Sequence, residues 1–314
     1  MNIAELDDLL AALDHSDPGV RLLAVMQAAD LAEDDCAPFV CASRDADAGV
    51  RLEAVRALEG NAQAAAVHAL VDRLGDEVVE VSQAAAVSLA EIVNVEAAPV
   101  LLLRLAQAEG VTKAALLAAL RKLRHDDAAV PALVALSDPL PQVRREAVGV
   151  LAYLRHGGAI PDLERLVVGD EDASVRLASV GALTFVAGGA VPVALLAALA
   201  DPDWQVREAA AVTLAKLRAV AASDALIAAL GDSHWQVRLK VAAALAGLGS
   251  AKAVEPLIAQ LDHPIANLRK EAAAALGAIG NSAAIPALSV VAGDPDIEVR
   301  KAAARALEAL GAPS

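Results

Sequence analysis

A short phrase recurs through this chain at a nearly fixed spacing, and that spacing restricts the fold more than any other feature. Its clearest copy is Ala198–Leu217, where one helix ends, an Asp-Pro-Asp turn follows, and a second helix opens on Trp-Gln-Val-Arg. The Arg position is filled by Arg21, Arg51, Ser82, Lys113, Arg144, Arg176, Arg207, Arg238, Arg269 and Arg300, at intervals of 30 to 32 residues. Self-similarity at such a period marks a stacked array, because one such unit cannot bury its apolar face alone. The fold expected is all-α: one α-α superhelix of about ten 31-residue helix pairs over residues 1–314. The repeats run at about 1–30, 31–60, 61–93, 94–124, 125–156, 157–188, 189–219, 220–249, 250–280 and 281–310.

Each unit reads as helix A, a turn and helix B. In the seventh, helix A covers about Ala190–Ala200, with Pro192 in the first turn where a missing N–H costs nothing. Asp203 stands where a carboxylate accepts the first free N–H groups of helix B, expected over about Trp204–Arg218. Seven residues after the Arg position a core Leu recurs, from Leu58 and Leu89 through Leu120, Leu151, Leu183, Leu214, Leu245 and Leu276 to Leu307; Ala28 replaces it in the first unit. Small residues nearby, among them Ala54, Ala85, Ala147, Ala210, Ala272 and Ala303, let neighbouring helices approach. Repeat 1 opens at Ile3–Leu13, and repeat 2 has a shortened helix A at Cys36–Ser43. Repeats 3 and 4 are degenerate: Ser82 and Lys113 replace Arg, and Gln107-Ala-Glu-Gly110 replaces the Asp turn. That lapse reads as drift or as a change of curvature.

Composition narrows the partners. Apolar residues make up 57% and aromatics 2%, which suits helices packed through small aliphatic side chains. The net charge of −15 argues against nucleic acid, whose binders carry a basic face. The acid excess lies in the first third, where it either solubilises that end of the stack or steers a basic partner. Cys36 and Cys41 point to different faces of one short helix, so no disulfide or metal set is expected. The opening Met-Asn-Ile-Ala-Glu-Leu-Asp-Asp lacks the basic start of a signal peptide, and the cytoplasm is the expected compartment. Leu177–Ala200 carries no charge over 24 residues, long enough to span a bilayer. Gly188, Gly189 and Pro192 break it where the repeat demands a turn, so two short buried helices are expected and no membrane contact.

The pattern Asp-x-Asp-x-x-Val-Arg-x-x-Ala-x-x-Ala-Leu, followed by Ala-Val-x-Pro-Leu-Ile at Ala253–Ile258, resembles HEAT repeats. Within them it is most similar to the short E-Z, or phycobilisome-lyase-like, type. The resemblance covers residues 1–310 and is strongest over repeats 5 to 10. It implies that the turn Asp and the helix-B Arg form a ladder of charged hydrogen bonds between adjacent repeats. On this chain those positions include Asp138, Arg144, Asp170, Arg176, Asp201, Arg207, Asp232 and Arg238, a structural set with no catalytic role. It also implies that helix B lines the concave surface.

Signatures of chemistry are missing. The sequence has no phosphate-cradling glycine loop, no Gly-x-Ser-x-Gly and no Cys-x-x-Cys. None of its six His residues is followed by Glu, which disfavours the iron-holding HEAT enzyme deoxyhypusine hydroxylase. His125-Asp126-Asp127 reads as a solvated turn in preference to a metal site. No catalytic residue, metal or cofactor is expected.

The positive signal lies on helix B, at the positions three before and one, five and nine after the Arg. Spaced about four apart, they line one helical face. On it fall Tyr153 in repeat 5, Leu177 and Phe185 in repeat 6, Trp204 and Glu208 in repeat 7, and Trp235 and Leu239 in repeat 8. Lys270, Lys301 and Arg305 continue the stripe in repeats 9 and 10. Four of the five aromatics share it, and Trp, Tyr and Arg are the usual interface anchors. Either these residues hold a partner protein, or the two Trp merely pack over the preceding turn. The function expected is a non-enzymatic scaffold or adaptor; the alternative is a bilin lyase-like subunit or chaperone.

Overall fold

The computed structural model describes residues 11–29, 35–186 and 192–311, and among these there is no strand. It divides into two compact units, Met1–His156 and Gly157–Ser314. The first contains α1 (Pro18–Ala29), α2 (Ala37–Ala42), α3 (Ala48–Ala57), α4 (Ala64–Arg73), α5 (Val79–Ala90), α6 (Ala98–Leu105), α7 (Gly110–Leu123), α8 (Ala129–Ala135) and α9 (Pro141–Tyr153). The second contains α10 (Ile160–Gly169), α11 (Ala173–Val186), α12 (Ala194–Ala198), α13 (Trp204–Lys216), α14 (Ser223–Ala229), α15 (Trp235–Leu248), α16 (Val254–Ile258), α17 (Ala266–Ile279), α18 (Ile285–Val291) and α19 (Ile297–Ala309).

In each unit the odd-numbered helices from α1 to α9, or from α11 to α19, are the B helices and pack on one another in sequence. The A helices lie against them as a second layer. The core Leu of each B helix explains the stacking: Leu58, Leu89, Leu120 and Leu151 in the first unit, and Leu183, Leu214, Leu245 and Leu276 in the second, are all buried. Burying each contributes about 1.5–3 kcal/mol. Ala28, which replaces Leu in α1, is also fully buried. Leu307, in α19, is only half-buried. Small residues set the approach distance: a Cβ added at Gly277 of α17 would meet the Cβ of Ala306 in α19 at 2.7 Å.

The helix ends follow from side-chain chemistry. Asp47, Asp203 and Asp296 each accept two backbone N–H groups at the starts of α3, α13 and α19. The residue eleven after the repeat position closes helix B in the left-handed conformation: Arg124, Arg155 and Arg218 at φ 51°, and Gly249, Gly280 and Gly311 at φ 64–77°. This stops α13 at Lys216, short of the expected Arg218. The short helix of repeat 2 covers Ala37–Ala42, inside the expected Cys36–Ser43.

The seventh helix A is shorter than its sequence suggests. It covers Ala194–Ala198 where Ala190–Ala200 was expected, and Pro192 lies before it, accepting a hydrogen bond from the Leu195 N–H. Gly188, Gly189 and Ala190 lie outside the described residues, as does most of Ile3–Leu13. The uncharged run Leu177–Ala200 is divided, α11 ending at Val186 and α12 starting at Ala194. No described helix is long and apolar enough to cross a membrane.

Candidate functional site

Two features recur on the B helices: an ion-pair ladder at their N-terminal turns and a solvent-facing stripe along their length. In the ladder, each Arg reaches forward to the Asp of the next turn. In the first unit Arg21 grips Asp45 at 2.7 and 2.8 Å, and Arg51 grips Asp76 at 2.9 Å through both Nε and Nη2. In the second, Arg176 grips Asp201 at 2.7 and 2.9 Å, Arg207 grips Asp232 at 2.5 and 2.9 Å, and Arg269 grips Asp294 at 2.7 and 2.8 Å. The remaining nitrogen, Nη1, donates backward to a carbonyl of the Arg's own turn, as from Arg207 to Asp201 O at 2.7 Å. One guanidinium thus ties two consecutive turns together. The Asp receives more than the Arg: Asp201 Oδ1 also accepts the Asp203 N–H at 2.8 Å. Planar forks of this kind fix distance and orientation together.

The ladder keeps its acids ionised. The hydrogen bonds from Arg21 and Arg269 hold Asp45 and Asp294 below the ordinary carboxylate range. For Asp232, burial pushes the carboxyl up, but the bonds from Arg207 and from the His234 N–H outweigh it and bring it down.

Three rungs depart from the pattern. Lys113 replaces the fork by one bond to Asp138 at 2.8 Å. Between repeats 3 and 4 both members are missing, because Ser82 faces a register position held by Gln107. Ser82 Oγ turns back to Val79 O instead, and it lines a cavity of about 440 Å³ with Val79, Gln83, Val111 and Ala118. Arg238 has His263 at the register position where the other arginines find Asp. Arg144 and Asp170 also belong to the expected set; Arg144 holds Asp138 O at 2.9 Å, and Asp170 accepts the Asp172 N–H at 2.9 Å.

On the stripe, Tyr153 in the first unit is 48% exposed. The guanidinium groups of Arg121 and Arg124 lie 5.7 and 5.6 Å from its ring centre, within cation–π range. In the second unit Phe185 is 56% exposed, while Leu177, Trp204, Glu208, Trp235 and Leu239 are half-buried. Trp204 packs forward and not over the preceding turn: its indole stacks on His234 of the next turn, centroids 5.7 Å apart and planes 6° from parallel. One face of that indole therefore serves the stack. Further along, a cavity of about 460 Å³ opens between α17 and α19, lined by Lys270, Ala274, Ala278, Lys301, Arg305 and Ala309 among others. These six occupy the positions one, five and nine after the repeat Arg. Three of the four stripe positions thus line the groove between these neighbouring B helices, together with Glu271 and Glu298.

Arg121, Arg124, His234 and His263 were not singled out from sequence. The last was readable, since counting six residues back from each repeat position after the first finds Asp at 45, 76, 138, 170, 201, 232 and 294 but Gln at 107 and His at 263. Among the described residues no group of His, Cys, Asp and Glu could hold a metal ion.

Helix pairs tied at their turns by Arg–Asp forks, with one face of the B helices left to solvent, define an α-helical repeat scaffold. A family profile described as HEAT repeats matches residues 39–121, 127–194, 191–266 and 254–314, and the chain belongs to that family. No curated protein matches the sequence. Among solved structures, an engineered protein is 23% identical over 100% of both chains, with a TM-score of 0.52. The Kap95p–RanGDP structure contains a chain that is 15% identical, with a TM-score of 0.65, matched over 97% of this chain and 50% of that one. Kap121p bound to Nup53p is 14% identical, with a TM-score of 0.56 over 99% of this chain and 42% of that one. The chain thus spans half or less of these two karyopherin-type chains, and all three likenesses concern the fold.

Proposed function

We propose that this chain is a non-enzymatic cytoplasmic scaffold or adaptor of the short E-Z type, holding a protein segment along the B-helix face of its second unit. Leu177, Phe185, Trp204, Trp235 and Leu239 supply apolar anchors, Glu208 a polar contact, and Lys270, Lys301 and Arg305 a basic end. The preferred segment is therefore apolar with acidic residues at one end. Tyr153 is an anchor on the B-helix face of the first unit. The observation that carries the reading is that two indoles sit half-buried at the head of a stripe whose later positions line a groove between α17 and α19, in a chain with only five aromatics. Trp204 and Trp235 are each positioned by the ladder turn before them, so their spacing is held before any partner arrives. Two similar structures are of chains bound to proteins, Kap95p to RanGDP and Kap121p to Nup53p.

Affinity capture from the source cell, with Trp204→Ala and Trp235→Ala combined, tests this. Loss of an anchor costs at least about 2 kcal/mol, so partner recovery should fall by more than about tenfold. Equal recovery with wild type and variant removes the proposal.

A further inference from the structure

The repeat supplies its own standard for what an Arg at this position binds, and one interior rung of the second unit lacks it. At Arg176, Arg207 and Arg269, Nε and Nη2 converge on the two oxygens of an Asp 25 residues ahead. At Arg238 that position is His263. Nε of Arg238 turns back to its own turn and donates to Asp232 O in a short bond, and its two Nη groups have no acceptor among the described residues. The Asp232 carboxylate is taken up by the Arg207 fork and the His234 N–H and makes no bond to Arg238.

His263 reproduces half of what Asp does in the other turns. Its Nδ1 accepts the Ile265 N–H at 3.2 Å, as Asp232 Oδ1 accepts the His234 N–H at 2.8 Å. The turn is therefore built, but the negative charge is missing. With Nδ1 accepting, the neutral ring carries its proton on Nε2 and is a donor there. Burial and the charges of Arg238 and Arg269 depress its basicity, which keeps it neutral near pH 7 and leaves Arg238 uncompensated. Both side chains are half-buried, and Trp235 lies one helical turn before Arg238.

We propose that Arg238 and His263 form a carboxylate-binding site, a ladder rung whose acid comes from outside the chain, supplied by an Asp or Glu side chain of the segment bound beside Trp235. The geometry of the filled rungs sets the ligand class: one planar carboxylate meeting the guanidinium edge-on. Only the source of the carboxylate rests on the proposed B-helix groove; the vacancy at Arg238 does not.

The test uses the full-length chain and supplies the acid in two ways. First, in cis: His263→Asp should complete the rung and raise Tm by about 2 °C or more, whereas the uncharged His263→Asn should not. Second, in trans: potassium acetate titrated against chloride at constant ionic strength should shift the Arg238 Nε–Hε resonance saturably and leave Arg207 unmoved. The shift should vanish in His263→Asp, where the site is already filled. A Tm no higher in His263→Asp than in His263→Asn overturns the assignment, as does an acetate response that persists in His263→Asp. In a parallel titration, inorganic phosphate saturating the shift at a tenfold lower concentration than acetate would reassign the site to phosphate and overturn it too. These readouts need no partner, so their failure is separable from failure of the Trp204 and Trp235 experiment.

Discussion

Removing one acid from a filled rung should loosen the stack at that point and nowhere else. Asp201 is the best choice, because its side chain is 5% exposed and that of its partner Arg176 is 10% exposed. The carboxylate accepts two bonds from Arg176, at 2.7 and 2.9 Å, and one from the Asp203 N–H at 2.8 Å. Asp201→Ala leaves the guanidinium edge and a turn N–H without acceptors. Breaking a buried pair from one side costs about 3–5 kcal/mol, and the residual exposure of Arg176 places this pair at about 3 kcal/mol. Asp201→Asn keeps an oxygen for the turn and loses the charge, so about half that loss is expected. The cycle with Arg176→Met should return a coupling of about 2 kcal/mol, since either change alone already breaks the fork. Because a repeat array couples mainly neighbour to neighbour, the loss should appear in hydrogen exchange as faster opening of α11 and α13, with α17 and α19 unchanged. Additive single and double variants would refute the ladder as a source of stability. Uniform opening of the whole second unit would refute its local action.

Gly277→Ala should destabilise the α17–α19 contact by about 1–3 kcal/mol, because its new methyl meets the Cβ of Ala306 at 2.7 Å. Gly247→Ala, in α15 with nothing within 4 Å, should instead gain up to about 1 kcal/mol; urea melts of both read the sign. Acid should unfold the stack through its carboxylates. Asp45 and Asp294 have folded pKa values below the ordinary 3.8, so their contribution is complete above that value and is lost as pH falls through the lower folded values. Helical circular dichroism should hold from pH 7 to about pH 5 and decline below about pH 4, and a main loss near pH 6 would contradict the ladder's role. Co-expression with a phycobiliprotein and bilin should leave the chain without pigment absorbance; a bound chromophore would turn the functional reading toward the lyase-like alternative.

The parts of this molecule written at fixed spacing were readable in advance, and the parts set by a neighbour were not. Leu214 and Leu245 announce a core because each must fill the same space between helices, whatever else its repeat does. Asp203 announces a helix start because the N–H groups it caps are two and three residues away. The end of α13 is different. Whether the helix runs through Arg218 or stops at Lys216 depends on an Arg entering the left-handed region, where Gly does the same duty in three later repeats. The stripe shows the same division. Periodicity places Trp204 on the open face, but the stacking partner of its indole, His234, belongs to the next turn and becomes visible only when the turns are superimposed in space. The Arg–Asp rungs lie between these cases, for each joins residues 24 or 25 apart through a spacing the repeat itself fixes. That is why the Gln at 107 and the His at 263 carry information. In an array where the same fork is rebuilt turn after turn, a position that drops its acid while its neighbour keeps the Arg leaves a cation without its partner. Where both members go, as at Ser82 and Gln107, no charge is stranded.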